Sequence, residues 1–158
     1  MKQNGIDSFV NQRIWIIGAS SGIGEACTQA FIKAGAKVAL SSRRVERLNA
    51  IAQSAEPGQS LVLPLDVTQE DQLCSAYQDI LEVWGGLDLL LFVSGVYTPL
   101  RADNFEFAIA QKTIDANLLG PMRAVSVVLP NMLKEHAGHI AIVGSVAGYS
   151  GLPKALAY

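Results

Sequence analysis

The chain has 158 residues, of which 50% are hydrophobic and 16% are charged, and its formal net charge is −2. This length fits a single domain of about 100–200 residues. Because the chain has no surplus of basic residues to neutralise phosphates, its composition argues against nucleic-acid binding. The sequence also lacks a run of about 18 apolar residues, so it predicts no membrane-spanning helix.

The cysteines and the amino-terminal segment predict a cytoplasmic protein. Cys27 and Cys74 show no metal-like spacing and are expected to be reduced thiols. Residues 1–11 are polar and lack the apolar core of a secretion signal. His136 and His139 are expected at the end of a helix, so the sequence predicts no metal site.

Apolar runs alternate with amphipathic runs along the whole chain, a pattern typical of an α/β fold with a parallel sheet and helices on both faces. The predicted strands are Arg13–Ile17, Lys37–Ser41, 60–65, 87–93 and 139–143. The predicted helices are 20–34, 45–55, a helix capped at Thr68 that runs to Trp84, 105–116 and Gly120–Glu135. The predicted architecture is a Rossmann-like, doubly wound sheet with strand order 3-2-1-4-5, in which ligands bind beyond the carboxyl ends of the strands.

Residues 18–24, Gly-Ala-Ser-Ser-Gly-Ile-Gly, form the most specific motif in the chain. They follow a predicted strand and open a predicted helix, which is where a glycine-rich turn binds the pyrophosphate of a dinucleotide. The start of the helix offers free N–H groups and the positive end of its dipole to that anion. No Lys-Ser/Thr pair follows the last glycine, so the motif is not a P-loop. The expected cofactor-binding residues here are Gly18, Ser20, Ser21, Gly22, Ile23 and Gly24.

The end of the second strand favours the cofactor NADP over NAD. An NAD-binding domain of this kind places a carboxylate here to bind the ribose hydroxyls, but no Asp or Glu occurs between Lys37 and Val45. The chain instead has Ser42, Arg43 and Arg44, and guanidinium groups suit the 2′-phosphate of NADP. The alternative is a solvated helix start that happens to carry two arginines.

The glycine motif is similar to the cofactor loop of the short-chain dehydrogenase/reductase family, and the arginine pair resembles that of its NADP-preferring members. The family usually has threonine before the first glycine, where this chain has Ile17. The resemblance implies that Asp66 accepts a hydrogen bond from the adenine amino group and that the N–H of Val67 binds a ring nitrogen. A local cap for the next helix is the alternative role for Asp66. Ser94 and Gly95 stand where the family has the end of Asn-Asn-Ala-Gly beside the cofactor.

The resemblance also implies a catalytic set for carbonyl reduction, which requires stabilisation and protonation of a developing alkoxide. Ser145 follows the fifth strand and would hold the substrate oxygen, and Tyr158, thirteen residues later, would donate the proton. Asn117 matches the family asparagine that bends its helix and holds a water in the proton relay. A local helix break there is consistent with the Gly120-Pro121 pair that follows.

The resemblance extends from about residue 13 to residue 158, which implies that residues 1–158 are the leading part of a longer single-domain enzyme. The family lysine lies four residues after the tyrosine, beyond the last residue of this sequence. Family members commonly form homodimers or homotetramers through the helix that begins near Gly120 and a helix that begins near Tyr158. The implied partners are therefore a small carbonyl or alcohol substrate and further copies of the chain.

Two other functional hypotheses remain open at this point. The chain could be a non-catalytic NADP-binding module or an inactive fragment, which would bind the cofactor without turnover. A methyltransferase-like nucleotide binder shares the glycine turn but does not predict Arg43, Ser145 and Tyr158 together. The substrate is not specified by these residues, and 3-oxoacyl thioesters, sugars, steroids and small ketones are all candidates.

Overall fold

The computed structural model describes residues 9–158, so the prediction for the first eight residues lies outside the described part of the chain. The five strands form one parallel sheet in the order β3-β2-β1-β4-β5, which confirms the predicted architecture. The strands are β1 Arg13–Ile17, β2 Lys37–Ser41, β3 Ser60–Val62, β4 Leu89–Phe92 and β5 His139–Ile142. The helices are α1 Gly22–Lys33, α2 Val45–Ala52, α3 Glu70–Trp84, α4 Phe107–Ile114 and α5 Gly120–Glu135.

The strand β1 lies at the centre of the sheet and is buried on both faces, as expected for a sheet covered by helices on both sides. Because side chains alternate along a strand, Trp15 and Ile17 join the core beneath α3 and α5, while Ile14 and Ile16 join the core beneath α1 and α2. The indole N–H of the buried Trp15 donates to the hydroxyl oxygen of Ser41 at 2.8 Å, so its one polar atom is satisfied.

Several predicted boundaries are wrong by one to three residues. The third strand ends at Val62 rather than at residue 65, because Pro64 has no N–H to donate to the sheet. The third helix begins at Glu70 after Gln69, since Thr68 turns its side chain back to Asp66 instead of capping the helix. The helices predicted at 20–34, 45–55 and 105–116 and the strands predicted at 87–93 and 139–143 are likewise shorter in the structure.

The amino ends of β1 and β4 are held together by Arg13, the first residue of β1, and Asp88, which directly precedes β4. The backbone N–H of Arg13 donates to Asp88 Oδ2 at 2.8 Å, and its guanidinium Nη2 lies 2.6 Å from Asp88 Oδ1. The hydrogen bond from the Arg13 side chain holds the pKa of Asp88 below its ordinary value, against the opposing effect of burial. Gly86 leaves room for this pair, because a Cβ there would lie 2.9 Å from Cζ of Arg13.

Asp88→Asn is expected to lower the free energy of unfolding by about 1–2 kcal/mol at pH 7, since it removes charge-assisted bonds from a partly exposed pair. The native pKa of Asp88 is depressed, so its contribution is present above the unfolded pKa of about 3.9 and is lost as the pH falls through the native value. Urea denaturation at pH 7 and at pH 3 measures the free energy of unfolding. The difference in this free energy between Asp88→Asn and the parent should be smaller at pH 3 than at pH 7. Asp79→Asn, on the exposed side of α3, is the matched control. An equal loss of unfolding free energy in Asp88→Asn at both pH values would contradict a contribution from the ionised carboxylate.

Candidate functional site

A cleft of about 1180 Å³ opens at the carboxyl ends of the strands, at the switch point where the chain crosses to the other half of the sheet. Residues at the carboxyl ends of four of the five strands meet there, namely the glycine loop after β1, the end of β2, the segment after β3 and the segment after β4. The predicted residues that line it are Gly18, Ser20, Ser21, Ile23, Ser42, Arg43, Arg44, Asp66, Val67, Ser94 and Gly95. Gly22 and Gly24 belong to the loop but do not line the cleft.

The glycine loop is shaped by close backbone contacts with its neighbours. Gly18 has a φ of +100°, and a Cβ there would lie 2.6 Å from the backbone nitrogen of Ser94. A Cβ on Gly24 would collide with the carbonyl group of Gly18. Both positions therefore require glycine for the internal packing of the loop, in addition to any contact with a ligand.

The amino terminus of α1 is open towards the cleft. Ser21 stands at the N-cap position, yet its side chain makes no capping hydrogen bond to the helix. The first N–H groups of a helix have no partner within the helix, so an uncapped start offers donors and a positive dipole end to an anion. Ser20, which is almost fully buried, and Ser21 place two hydroxyl groups beside these donors.

The arginine after β2 reaches across to the glycine loop. Nε of Arg44 donates to Oγ of Ser20 at 3.1 Å, and Nη2 of Arg44 donates to Oγ of Ser21 at 2.5 Å. The hydroxyl oxygen of Ser42 accepts from the backbone N–H of Arg44 at 3.1 Å, so it shapes the same turn. Arg43 also lines this end of the cleft, so two guanidinium groups and three hydroxyl groups are concentrated there.

Asp66 lies at this same end and is ionised at neutral pH. Its Oδ1 accepts from both the backbone N–H and the hydroxyl group of Thr68, which shapes the turn before α3 but caps no N–H group of that helix, so the alternative role as a helix cap is wrong. Burial raises the pKa of Asp66, but the hydrogen bonds from Thr68 and the charges of Arg43 and Lys112 outweigh it and hold the pKa below its usual value. Oδ2 of Asp66 lies 3.7 Å from Nη1 of Arg43.

Asn117 lies in a π-helical segment, Asp115–Leu119, that joins α4 directly to α5, so the predicted break is a local widening of a continuous helix and not an interruption. Its side chain accepts from the N–H of Val96 and donates to the carbonyl oxygen of Val96, both at 2.8 Å. Asp115 and Arg123 form an ion pair across the same segment, with Oδ1 and Nη2 2.7 Å apart. Because the side chain of Asn117 bonds both the N–H and the carbonyl group of Val96, it fixes the backbone that follows Gly95.

Ser145 and Tyr158 lie outside the lining of the cleft. Oγ of Ser145 accepts from the N–H of Ala147 at 3.1 Å and caps the short 3₁₀ turn Val146–Gly148. Tyr158 is 44% exposed, and residues 151–158 form turns. Within residues 9–158, no hydrogen bond joins the side chains of Asn117, Ser145 and Tyr158.

One wall of the cleft was not anticipated from the sequence. It comes from the start and the outer face of α4, where Phe107 is 70% exposed and Lys112 faces Asp66. The only signal in the sequence was an unusual pair of aromatic residues, Phe105 and Phe107, at the start of a predicted helix. A helix face that lines a ligand site has the same sequence periodicity as a helix face that contacts solvent, so the sequence does not distinguish the two.

The fold and the cleft define a Rossmann-like α/β domain. The family model described as short chain dehydrogenase matches residues 12–158. The chain belongs to the short-chain dehydrogenase family.

Curated relatives of this chain carry oxidoreductase names. An uncharacterized oxidoreductase of Listeria innocua is 33% identical over 155 residues, which cover 94% of this chain and 60% of that protein. The human dehydrogenase/reductase SDR family member 7 is 30% identical over 151 residues, which cover 92% of this chain and 44% of that protein. The chain therefore spans between about two fifths and three fifths of the length of these relatives.

Solved structures share the fold over nearly the whole chain. One described as ElxO with NADP bound is 26% identical and superposes with a TM-score of 0.86, covering 94% of this chain and 61% of that chain. A serine dehydrogenase from Escherichia coli is 27% identical with a TM-score of 0.86, covering 93% of this chain and 68% of that chain.

Residues 9–158 contain neither a helix suited to span a membrane nor a cluster of side chains suited to bind a metal ion. In residues 9–158, no helix is both long enough and apolar enough to cross a bilayer. The same part of the chain holds no group of three or more His, Cys, Asp or Glu side chains arranged to bind a metal ion.

Proposed function

We propose that this chain binds NADP(H) and forms the cofactor-binding part of a reductase that transfers hydride between NADPH and a carbonyl or alcohol substrate. The observation that carries the proposal is the meeting of the β1–α1 glycine loop with Ser42, Arg43 and Arg44 at one end of a large cleft. This end of the cleft is rich in donors and positive charge, as a phosphate group requires.

The groups present fit a phosphorylated dinucleotide along the cleft. The open start of α1 would hold the pyrophosphate through backbone N–H groups, with Ser20 and Ser21 beside it. Arg43 and Arg44 would hold the 2′-phosphate. To do so, Arg44 would give up its hydrogen bonds to the hydroxyl groups of Ser20 and Ser21 and bond to the phosphate. NAD lacks that phosphate and would leave both guanidinium groups without their anion.

Asp66 and Val67 are proposed to bind the adenine. Asp66 keeps Oδ2 free of hydrogen bonds from the described residues, and its low pKa keeps that oxygen an acceptor at neutral pH. The exocyclic amino group of adenine is a donor that suits this oxygen. Gly95 lines the other end of the cleft, where the nicotinamide is proposed to lie.

The catalytic side chains are proposed to bind and protonate the substrate oxygen. When bound, the cofactor supplies the hydride. The phenol of Tyr158 is proposed to donate the proton to the substrate oxygen, and the hydroxyl of Ser145 to donate a hydrogen bond to it. Asn117 holds the backbone of Val96 and so keeps the nicotinamide side of the cleft in shape.

Steady-state turnover tests this proposal. The purified full-length protein that contains this chain is mixed with NADPH and a panel of carbonyl compounds (a 3-oxoacyl thioester, a ketosteroid, a keto sugar and a small ketone), and NADPH oxidation is followed by absorbance. Oxidation that depends on one of the carbonyl compounds supports the reductase. Tight NADPH binding with no oxidation above background for any compound would contradict it and favour a binding module.

We also propose that the protein is a homo-oligomer that pairs through α5. The exposed face of this region carries four large apolar residues at helical spacing, which we call the α5 stripe. Their exposed fractions range from 38% to 64%, while the opposite face packs on the core. A contiguous apolar strip on a helix surface is typical of an interface between protein chains. The α5 stripe consists of Leu118, in the π-helical segment that precedes α5, and of Met122, Leu129 and Leu133 in α5 itself.

Met122→Glu is expected to shift the protein towards the monomer, because a charge in the middle of the α5 stripe would be buried without a partner in a pair of chains. Light scattering during size-exclusion chromatography measures the mass at several protein concentrations. Val83→Glu places the same charge on an exposed apolar position of α3, outside the stripe, and should leave the mass unchanged. A parent protein that is monomeric at all concentrations would overturn this proposal.

A further inference from the structure

The π-helical segment Asp115–Leu119 has little support from its own backbone. π turns are rarer than α-helical turns and occur frequently at functional sites. The π-type bond of this segment runs from the N–H of Gly120 to the carbonyl oxygen of Asp115, five residues earlier. Pro121 follows and has no N–H, so it cannot add the next bond. Contacts made by side chains must therefore help to hold the turn.

Asp115 and Arg123 supply such contacts. Nη2 of Arg123 lies 2.7 Å from Oδ1 of Asp115, and Nη1 of Arg123 donates to the carbonyl oxygen of Asp115 at 3.5 Å. Oδ1 of Asp115 is shielded from solvent, and the side chains of Arg123 and Asp115 are only 25% and 34% exposed, so salt screens this pair less than a surface pair. One guanidinium group thus holds both the side chain and the carbonyl group of the residue that begins the π turn.

The spacing of the two residues couples the ion pair to the π turn. Asp115 and Arg123 are eight residues apart, and positions eight apart in an uninterrupted α-helix are offset by about 80° around its axis. The π turn takes up one additional residue, so the two side chains stand in the relation of positions i and i+7, which share a face. Loss of the π turn would separate the charges, and loss of the ion pair would weaken the turn.

The π turn in its turn places Asn117 against the wall of the cleft. Asn117 is the middle residue of the π-helical segment, and its side chain bonds the N–H and the carbonyl group of Val96. Val96 lines the cleft. A change of the helical register by one residue would rotate Asn117 by about 100° about the helix axis and so break both bonds.

We propose that Asp115 and Arg123 are a pair of positioning residues, which hold the π turn and thereby set Asn117 against Val96; this rests on the proposed function, in which the nicotinamide lies on that side of the cleft. Arg123 does not line the cleft, so its removal acts through Asn117 and not through contact with the cofactor. Loss of the pair is expected to slow hydride transfer and to leave binding of the adenine end unchanged.

Amide hydrogen exchange tests the pair in the full-length protein that contains this chain, without cofactor. Arg123→Gln is expected to speed exchange at the N–H groups of Val96 and Gly120 by about fivefold or more relative to Val38, because local opening of the π turn breaks their hydrogen bonds. The N–H of the fully buried Val38 is bonded within the sheet region and serves as the reference. Unchanged exchange at Val96 and Gly120, or equal acceleration at all three groups, would overturn the proposal.

Stopped-flow hydride transfer separates positioning from stability. Arg123→Gln and Asp115→Asn are each expected to slow hydride transfer about tenfold, since a small misplacement of a reacting group is costly. The double variant D115N/R123Q should be no slower than either single variant, because two partners of one contact act as a unit. Arg47→Gln removes the guanidinium of another ion pair, with Glu25 and outside the cleft lining, and as the matched control should keep the parent rate.

A binding measurement completes the test. The affinity of Arg123→Gln for adenosine 2′,5′-bisphosphate, which has the adenine and the 2′-phosphate but no nicotinamide, should stay within about twofold of the parent. The parent rate of hydride transfer in Arg123→Gln, or a loss confined to this affinity, would overturn the proposal. Failure of the proposed reductase function looks different, because the parent itself then transfers no hydride. In that case the exchange rates at Val96 and Gly120 alone decide whether the pair holds Asn117 in place.

Discussion

Tyr158→Phe is expected to lower kcat for NADPH-dependent carbonyl reduction by about 100- to 10,000-fold, because it removes only the hydroxyl group that is proposed to donate the proton. The ring and its edge-to-face contact with Tyr97 are retained, so the fold of residues 151–158 should not change. The NADPH Kd should also be unchanged, since Tyr158 does not line the cleft. Stopped-flow hydride transfer and a fluorescence titration with NADPH measure the two quantities.

The matched control is Tyr149→Phe, which makes the same chemical change at a tyrosine that is 97% exposed. It should keep the parent kcat. If Tyr158→Phe keeps more than about half of the parent kcat, Tyr158 is not the general acid, and another group or water protonates the substrate oxygen.

The double variant R43A/R44A is expected to weaken NADPH binding by about 100-fold or more and to leave NADH binding within about threefold of the parent. Hydrogen bonds to a charged group contribute about 1.5–3 kcal/mol each, and each 1.4 kcal/mol is a factor of about ten in affinity. The selectivity follows because only NADPH carries the 2′-phosphate. Isothermal titration calorimetry with both cofactors, at two salt concentrations, measures the effect.

Arg47→Ala is the matched control for this prediction. Arg47 lies on α2 a few residues further on, pairs with Glu25 at 3.3 Å and does not line the cleft. Its removal should change neither affinity by more than about twofold, since an exposed ion pair contributes at most about 1 kcal/mol. Equal losses of NADPH and NADH affinity in the double variant would mean that the arginines support the glycine loop rather than the 2′-phosphate.

The sheet could be predicted from the sequence because its signals are local. Strands that are buried on both faces read as short apolar runs, and Arg13–Ile17 and Lys37–Ser41 were predicted with their exact bounds. Their alternation with amphipathic runs is enough to predict a parallel sheet. The errors occurred where a single contact decided the boundary, as when Thr68 bonded to Asp66 instead of capping α3.

The site was only partly predictable, because its remaining parts depend on contacts between residues that are distant in sequence. The sequence identified the glycine loop and the arginines, but it did not show that Arg44 bonds to Ser20 and Ser21. It also did not show that Tyr158 rests on Tyr97. Neither the contact of Arg44 with the serines nor that of Tyr158 with Tyr97 produces a periodic or compositional pattern in the sequence. These contacts are visible only in the folded structure.

Direct titration of the purified chain with NADP⁺ and with NAD⁺ shows whether the cleft binds a dinucleotide with a 2′-phosphate. We expect one binding site per chain and an affinity for NADP⁺ at least about tenfold higher than for NAD⁺, which corresponds to about 1.4 kcal/mol. The difference should shrink as salt screens the guanidinium charges. Equal affinities for the two cofactors, or no binding of either, would contradict it.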